Sequence, residues 1–231
     1  MSSMTGLNLG KVLGNELVTI TIGKEKQKFT LHKRLLCESV EYFRAAFSGF
    51  RESQSSSMDM PEDNPEAFEL FIHWLYRGEV RSATKLTDVD QFLQLYIFAE
   101  KLCLNELANK TMDAIQAISD DLDESPQCSL EQLDGVWRNT SSESPLRKWL
   151  IRILVYDVWA WDDEGLSIFP LDTEKTISLW PLFKDHEDLY AHFFAQVHKY
   201  AAYYSPPCAC HFNDLKPCAY HRHSEGEVCH L

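Results

Sequence analysis

The chain has 231 residues, 45% hydrophobic side chains and a net charge of −13, enough apolar material for one large core or two modest ones without disulfide support. Most of the imbalance sits in residues 119–189, which hold 6 basic against 16 acidic side chains, or −10; that middle repels phosphate backbones and argues against a nucleic-acid partner. No run approaches the roughly 18 uninterrupted apolar residues of a membrane helix, and the N-terminus lacks the basic-then-apolar pattern of a secretory signal; the expectation is an intracellular protein, cytoplasmic or nuclear, with no membrane partner.

Val18, Ile20 and Ile22 alternate with Thr19 and Thr21, the period-2 pattern of a half-buried strand; Gly23 breaks it before Phe29 and Leu31 resume, which predicts a hairpin. Leu36, Val40, Phe43 and Phe47 then line one face of helical structure ending near Gly49, within which Ser39 is placed to cap a second helix. Ser57–Met60 alternates again, and Pro61 ends this third short strand. Asn64 suits a helix cap, Pro65 the first helical position, and Phe68, Phe71, Ile72 and Leu75 form a stripe that Gly78 closes. Thr87 or Asp88 is the candidate cap of the next helix, carried by Phe92, Leu95, Tyr96, Ala99 and Leu102. Leu107, Ala114, Ile115 and Ile118 extend the pattern. Strands first and helices after imply an α+β domain with a small sheet covered by helices.

Val18-Thr-Ile-Thr-Ile-Gly, Phe29-Thr-Leu-His-Lys-Arg-Leu-Leu and Ser39-Val-Glu-Tyr-Phe-Arg-Ala-Ala-Phe resemble the opening strands and helices of a BTB/POZ domain. Pro61-Glu-Asp-Asn-Pro-Glu-Ala-Phe and Trp74-Leu-Tyr-Arg-Gly-Glu-Val are similar to that family's next segment. The resemblance covers about residues 15–118 and implies an oligomerisation or scaffold domain without an active site. It also implies cullin-3 of ubiquitin ligases as a candidate partner and a possible homodimer. Glu16 stands where many dimeric members carry Asp, and residues 1–14 show no convincing amphipathic helix of the kind those members exchange. His32, beside a strand, reads as hydrogen-bonded structure.

Ser119–Pro126 is acidic and without apolar period, so 119–129 reads as a linker. Leu130, Leu133 and Trp137 suggest a short helix, Asn139–Ser144 a polar loop, and Ser144-Pro145 the start of a helix carrying Leu146, Trp149, Leu150, Ile153 and Leu154. Trp159 and Trp161 read as core residues in preference to an exposed anchor. Leu189, Phe193, Val197, Tyr200 and Tyr204 mark a last helix before Pro206-Pro207. The expected organisation is an extension at 1–14, a BTB-like domain at 15–118, the linker at 119–129, a helical region at 130–205 and a Cys/His-rich tail at 206–231.

The tail carries four of the seven cysteines (Cys208, Cys210, Cys218, Cys229) and four histidines, including His221 and His223. Zinc takes about four thiolate or imidazole ligands in a tetrahedron. Cys218-x-x-His221 offers two, His223 a third, and Cys208, Cys210 or Cys229 completes the shell, so structural zinc is expected. The spacing differs from that of a DNA-reading finger, with no helix of about a dozen residues between the ligand pairs. Cys218-Ala-Tyr-His-Arg-His is similar to a C-x-Y-H-x-H ending of fungal BTB-domain proteins. Cys37 and Cys103 lie in apolar patterns and read as buried side chains. Asp120-Asp121 and Asp162-Asp163-Glu164 read as solvated charge.

No phosphate-binding glycine loop, dinucleotide fingerprint or nucleophile elbow occurs. The expected function is therefore a non-enzymatic protein-interaction adaptor, with a substrate adaptor of a cullin-3 ubiquitin ligase as its specific form. The alternatives are a BTB-type transcriptional or chromatin regulator lacking its own DNA-binding domain and, behind it, a zinc hydrolase, which needs an open metal position and a general base.

Overall fold

The computed structural model describes residues 13–48, 56–82, 88–122, 128–158, 160–161, 167–168, 173–202, 218–223, 227 and 229. Two compact units emerge, one of residues 1–82 with 94–114 and one of 83–93 with 115–231.

In the first unit the alternating segment forms strand β1 (Leu17–Ile22) and Phe29 and Leu31 lie in β2 (Gln27–His32). They pair antiparallel, with Val18 opposite Leu31 and Ile20 opposite Phe29. The turn between them is left-handed at Gly23 (φ 73°) and Lys26 (φ 56°), conformations that glycine adopts without steric cost. β3 (Ser57–Met60) joins the other side of β1 in parallel, giving the order β2-β1-β3. A parallel neighbour requires a crossover, and β2, α1 (Lys33–Ser39) and α2 (Glu41–Ser48) lie within it. The break between the two helices falls at Val40 and not at a Ser39 cap: Val40 is extended (φ −132°, ψ 114°) and sends its N–H to the Leu36 carbonyl. Leu36, Val40, Phe43 and Phe47 are all buried as their spacing predicts.

α3 (Pro65–Arg77) starts and stops where its sequence signals stand. Asn64 accepts a hydrogen bond from the Ala67 N–H at 2.9 Å, Pro65 occupies the first turn, and Gly78 closes the helix at φ 74° with its N–H on the Trp74 carbonyl. Asn64→Ala therefore destabilises the first unit by about 1 kcal/mol, the ordinary worth of an N-cap, while Asn64→Asp preserves it. Urea denaturation midpoints check this, and equal midpoints for Asn64→Ala and the native protein would contradict the cap. The buried face differs slightly from the expected stripe, because Trp74 is buried where Ile72 is half-buried. Phe71 has its ring centroid 5.3 Å from Phe68, 5.3 Å from Phe98, 6.0 Å from Trp74 and 6.2 Å from Phe43. This aromatic cluster is the core against which helix and sheet are assembled.

α4 (Val89–Lys101) and α5 (Asn105–Leu122) contribute residues to both units. Phe92, Leu95, Tyr96, Ala99 and Leu102 are buried as expected, as are Leu107 and Ile115; Ala114 is only half-buried. Cys103 is exposed rather than buried, because the chain turns left-handed there (φ 57°) between the two helices. α5 continues through Ser119–Leu122, where a linker was expected. Those residues include neither Gly nor Pro, and an established helix propagates at little cost until a breaker such as Pro126.

In the second unit α6 (Leu130–Asn139) opens on a capping box in which Ser129 and Gln132 satisfy each other's backbone N–H. α7 (Pro145–Val158) buries Leu146, Trp149, Leu150, Ile153 and Leu154. α10 (Glu187–Ala202) packs on it through Leu189, Phe193 and Val197. Between them lie four short elements that periodicity does not reveal: the paired strands β4 (Ala160–Trp161) and β5 (Ser167–Ile168), α8 (Thr173–Ser178) and α9 (Trp180–Asp185). Trp159, Asp162–Glu164 and Tyr204 lie outside the described residues, as do residues 1–12.

Candidate functional site

Two features of the second unit stand out, and the first is built by the tail. Cys218–Tyr220 form a turn in which the His221 N–H donates to the Cys218 carbonyl at 3.1 Å. Tyr220 is buried and its hydroxyl accepts from Arg152 Nη1 at 2.9 Å; burial pushes that hydroxyl above the ordinary phenol value, against the opposing pull of Arg152. Arg222 Nη2 donates to Ser141 Oγ at 3.1 Å. Tyr220 and Arg222 thus tie the segment to α7 and the loop before it.

The alternate residues meet one another. Cys218 Sγ, Cys229 Sγ and a ring nitrogen of His223 lie within 4.8 Å of one another. His221 Nδ1 is 3.4 Å from Cys229 Sγ, and the His221 and His223 ring centroids are 5.7 Å apart. Neither cysteine is in a disulfide, and both His223 ring nitrogens are buried without a hydrogen-bond partner. Of the six expected ligands the structure gathers Cys218, His221, His223 and Cys229; Cys208 and Cys210 lie outside the described residues.

The second feature is an aromatic surface on α9 and α10. Trp180 is 60% exposed, Tyr190 47% and Phe194 37%. The Tyr190 and Phe194 rings lie 4.8 Å apart, tilted by 50°, and both rest on Phe183. Trp180, Phe183, Lys184, Glu187 and Tyr190 line a shallow groove of about 470 Å³. Sequence reading found the inner face of α10 and missed this outer one, although Tyr190 and Phe194 at a spacing of four, with Trp180-Pro181 opening a helix, were the available signals.

The remaining candidates have structural roles. His32 Nδ1 is 2.8 Å from the Tyr76 hydroxyl oxygen, which also accepts the His32 N–H at 3.2 Å. Burial pushes the Cys37 thiol up, and burial together with Asp157 and Asp90 pushes Cys128 up to about 12; neither is poised as a thiolate nucleophile.

Residues 11–119 match the BTB/POZ domain family, over the strands and helices that build the first unit. The first half of this chain is a BTB/POZ domain. BTB/POZ domain-containing protein 9 of Rattus norvegicus, and likewise of Bos taurus and Homo sapiens, is 28% identical over 109 residues, covering 46% of this chain. The chain spans only 18% of the length of those relatives. Among solved structures, the BTB domain of zebrafish PATZ1 aligns at 21% identity over 43% of this chain and 75% of that one, with a TM-score of 0.34.

Among the described residues of the BTB/POZ domain the large exposed apolar side chains are Leu17 on β1 and Tyr42 on α2, the latter 40% exposed. Glu16, at the position where many dimeric members carry Asp, pairs with Lys33 at 3.3 Å, and its carbonyl accepts the Lys33 N–H. Among the described residues no helix is long and apolar enough to cross a membrane.

Proposed function

We propose that this protein is an adaptor whose BTB/POZ domain docks on a scaffold while its helical half receives a second protein. The observation that carries the reading is the BTB/POZ fold of residues 11–119, a protein-interaction family. The exposed Trp180, Tyr190 and Phe194 add a second surface of the residue types that dominate binding energetics at interfaces. The scaffold proposed is cullin-3, the partner that the family resemblance suggests. Two docking surfaces on one chain are what a substrate adaptor of a ubiquitin ligase requires.

Isothermal titration of the full chain with the N-terminal domain of cullin-3 tests this, with a micromolar or tighter Kd expected. Tyr42→Ala removes an exposed aromatic from the domain without opening its core, and it should weaken that Kd at least tenfold, about 1.4 kcal/mol. No heat of binding across the micromolar range would overturn the cullin assignment. Affinity purification with mass spectrometry separates the other class, since recovery of chromatin proteins in place of a cullin would favour the transcriptional regulator.

A further inference from the structure

We propose that Cys218, His221, His223 and Cys229 form a closed structural zinc site that fastens the tail to the helical unit. The inference stands apart from the adaptor reading, since it concerns what holds the second unit's surface together. The donor set is two thiols and two imidazoles in the order Cys-x2-His-x-His-x5-Cys, the nitrogen and sulfur ligands that tetrahedral zinc takes. Around a tetrahedral zinc, thiolate and imidazole donor atoms lie about 3.6 Å apart and two thiolate sulfurs about 3.8 Å. The 3.4 Å between His221 Nδ1 and Cys229 Sγ already fits, and the other three donors lie within 4.8 Å of one another. Bringing Cys218, His223 and Cys229 to tetrahedral spacing takes a contraction of about 1 Å.

His223 supplies an independent argument. Both its ring nitrogens are buried and unpartnered, a costly state for an imidazole. Coordination by one nitrogen removes the larger part of that cost. On binding, each thiol gives its proton to solvent, and two thiolates neutralise the ion's two positive charges, so the half-buried centre carries no net charge. Four protein ligands leave no open position for water, which separates this site from a hydrolytic one.

The residues between the ligands say what the metal does for the fold. In an extended segment neighbours point opposite ways, so ligands His221 and His223 alternate with Tyr220 and Arg222, which hold Arg152 and Ser141. Tyr220 also forms a wall of a cleft of about 570 Å³ on α7 and α10, with Ile151, Arg152, His192, Lys199 and Tyr200. Zinc would fix that wall in place.

Plasma mass spectrometry of the full chain, purified without added metal and dialysed, should find about one zinc per chain. Cys218→Ser and Cys229→Ser should each lower this to under a fifth, and the double variant Cys208→Ser/Cys210→Ser should leave it unchanged. Cobalt(II) exchanged into the native protein should give the visible absorption of a tetrahedral dithiolate centre. Stripping zinc from the native protein with a chelator should raise amide exchange at Tyr220 and along α7, and restoring zinc should reverse it, a readout that does not depend on any variant folding. Metal-free native protein, a Cys218–Cys229 disulfide in its peptide map, or zinc that survives Cys218→Ser but is lost with Cys208 and Cys210 would each overturn the assignment.

Discussion

Phe71→Ala is expected to lower the stability of the BTB/POZ domain by about 3–5 kcal/mol, the usual cost of cutting a buried phenylalanine to alanine. Phe71 has no solvent exposure, and four aromatic rings stand around it, so truncation leaves a cavity with rigid walls. Phe43 comes from α2, Phe68 and Trp74 from α3 itself and Phe98 from α4. None can swing in without opening a gap elsewhere, because close-packed interiors relax only partially. Phe71→Leu keeps most of the volume and should cost under about 1.5 kcal/mol. Since a domain has only about 5–15 kcal/mol in total, the alanine variant should melt many degrees lower and lose scaffold binding near body temperature. Thermal unfolding followed by circular dichroism checks the pair; equal melting temperatures for Phe71→Ala and the native protein would show that the cluster is not the domain's core.

The first unit was legible because its signals are local and agree with one another. The Val18-Ile20-Ile22 alternation, the Asn64-Pro65 start and the Gly78 stop each specify one element by short-range physics, and packing did not override them. The disagreements have physical causes too. Ser39 is a good cap by residue type, yet burying Val40 beside Phe43 decided where the chain bends. The run Ser119–Leu122 is polar but contains no breaker, so the helix passed through it. In the second unit α8 and α9 have six residues each, under two turns, too few for a 3.6-residue period to show. The tail cluster was visible as a density of cysteines and histidines, but which of them meet was not. Sequence offers Cys208 and Cys210 on equal terms with Cys229, and only the fold brings Cys229 back across seven residues to within 3.4 Å of His221.

Arg147→Ala is expected to destabilise the helical unit by about 3–5 kcal/mol, because Arg147 completes the ends of two helices at once. It is buried on α7. Its Nη2 donates to the carbonyls of Trp137 and Thr140, at the C-terminal end of α6, and Nε donates to Thr140 Oγ1 at 2.9 Å. Nη1 donates to Asp188 in the first turn of α10, and the guanidinium carbon lies 5.3 Å from the centroid of the Trp137 ring. The last carbonyls of a helix have no partners within it and carry partial negative charge, so a buried cation there satisfies both hydrogen bonding and the dipole. Removing it strands the two carbonyls, whose lost partners carry most of the cost, and also takes from Asp188 this partner. Lysine cannot reproduce a planar fork serving four acceptors, so Arg147→Lys should recover less than half of the loss. Asp188→Asn should cost only about 1 kcal/mol, since Asp188 is 37% exposed and solvent screens its share. Guanidinium denaturation of the three variants, with amide exchange on α6 and α10 to locate the opening, provides the check. Arg147→Ala within 1 kcal/mol of the native protein would mean that Arg147 holds neither helix end, and a loss that Arg147→Lys fully restores would mean that charge alone matters and the fork does not.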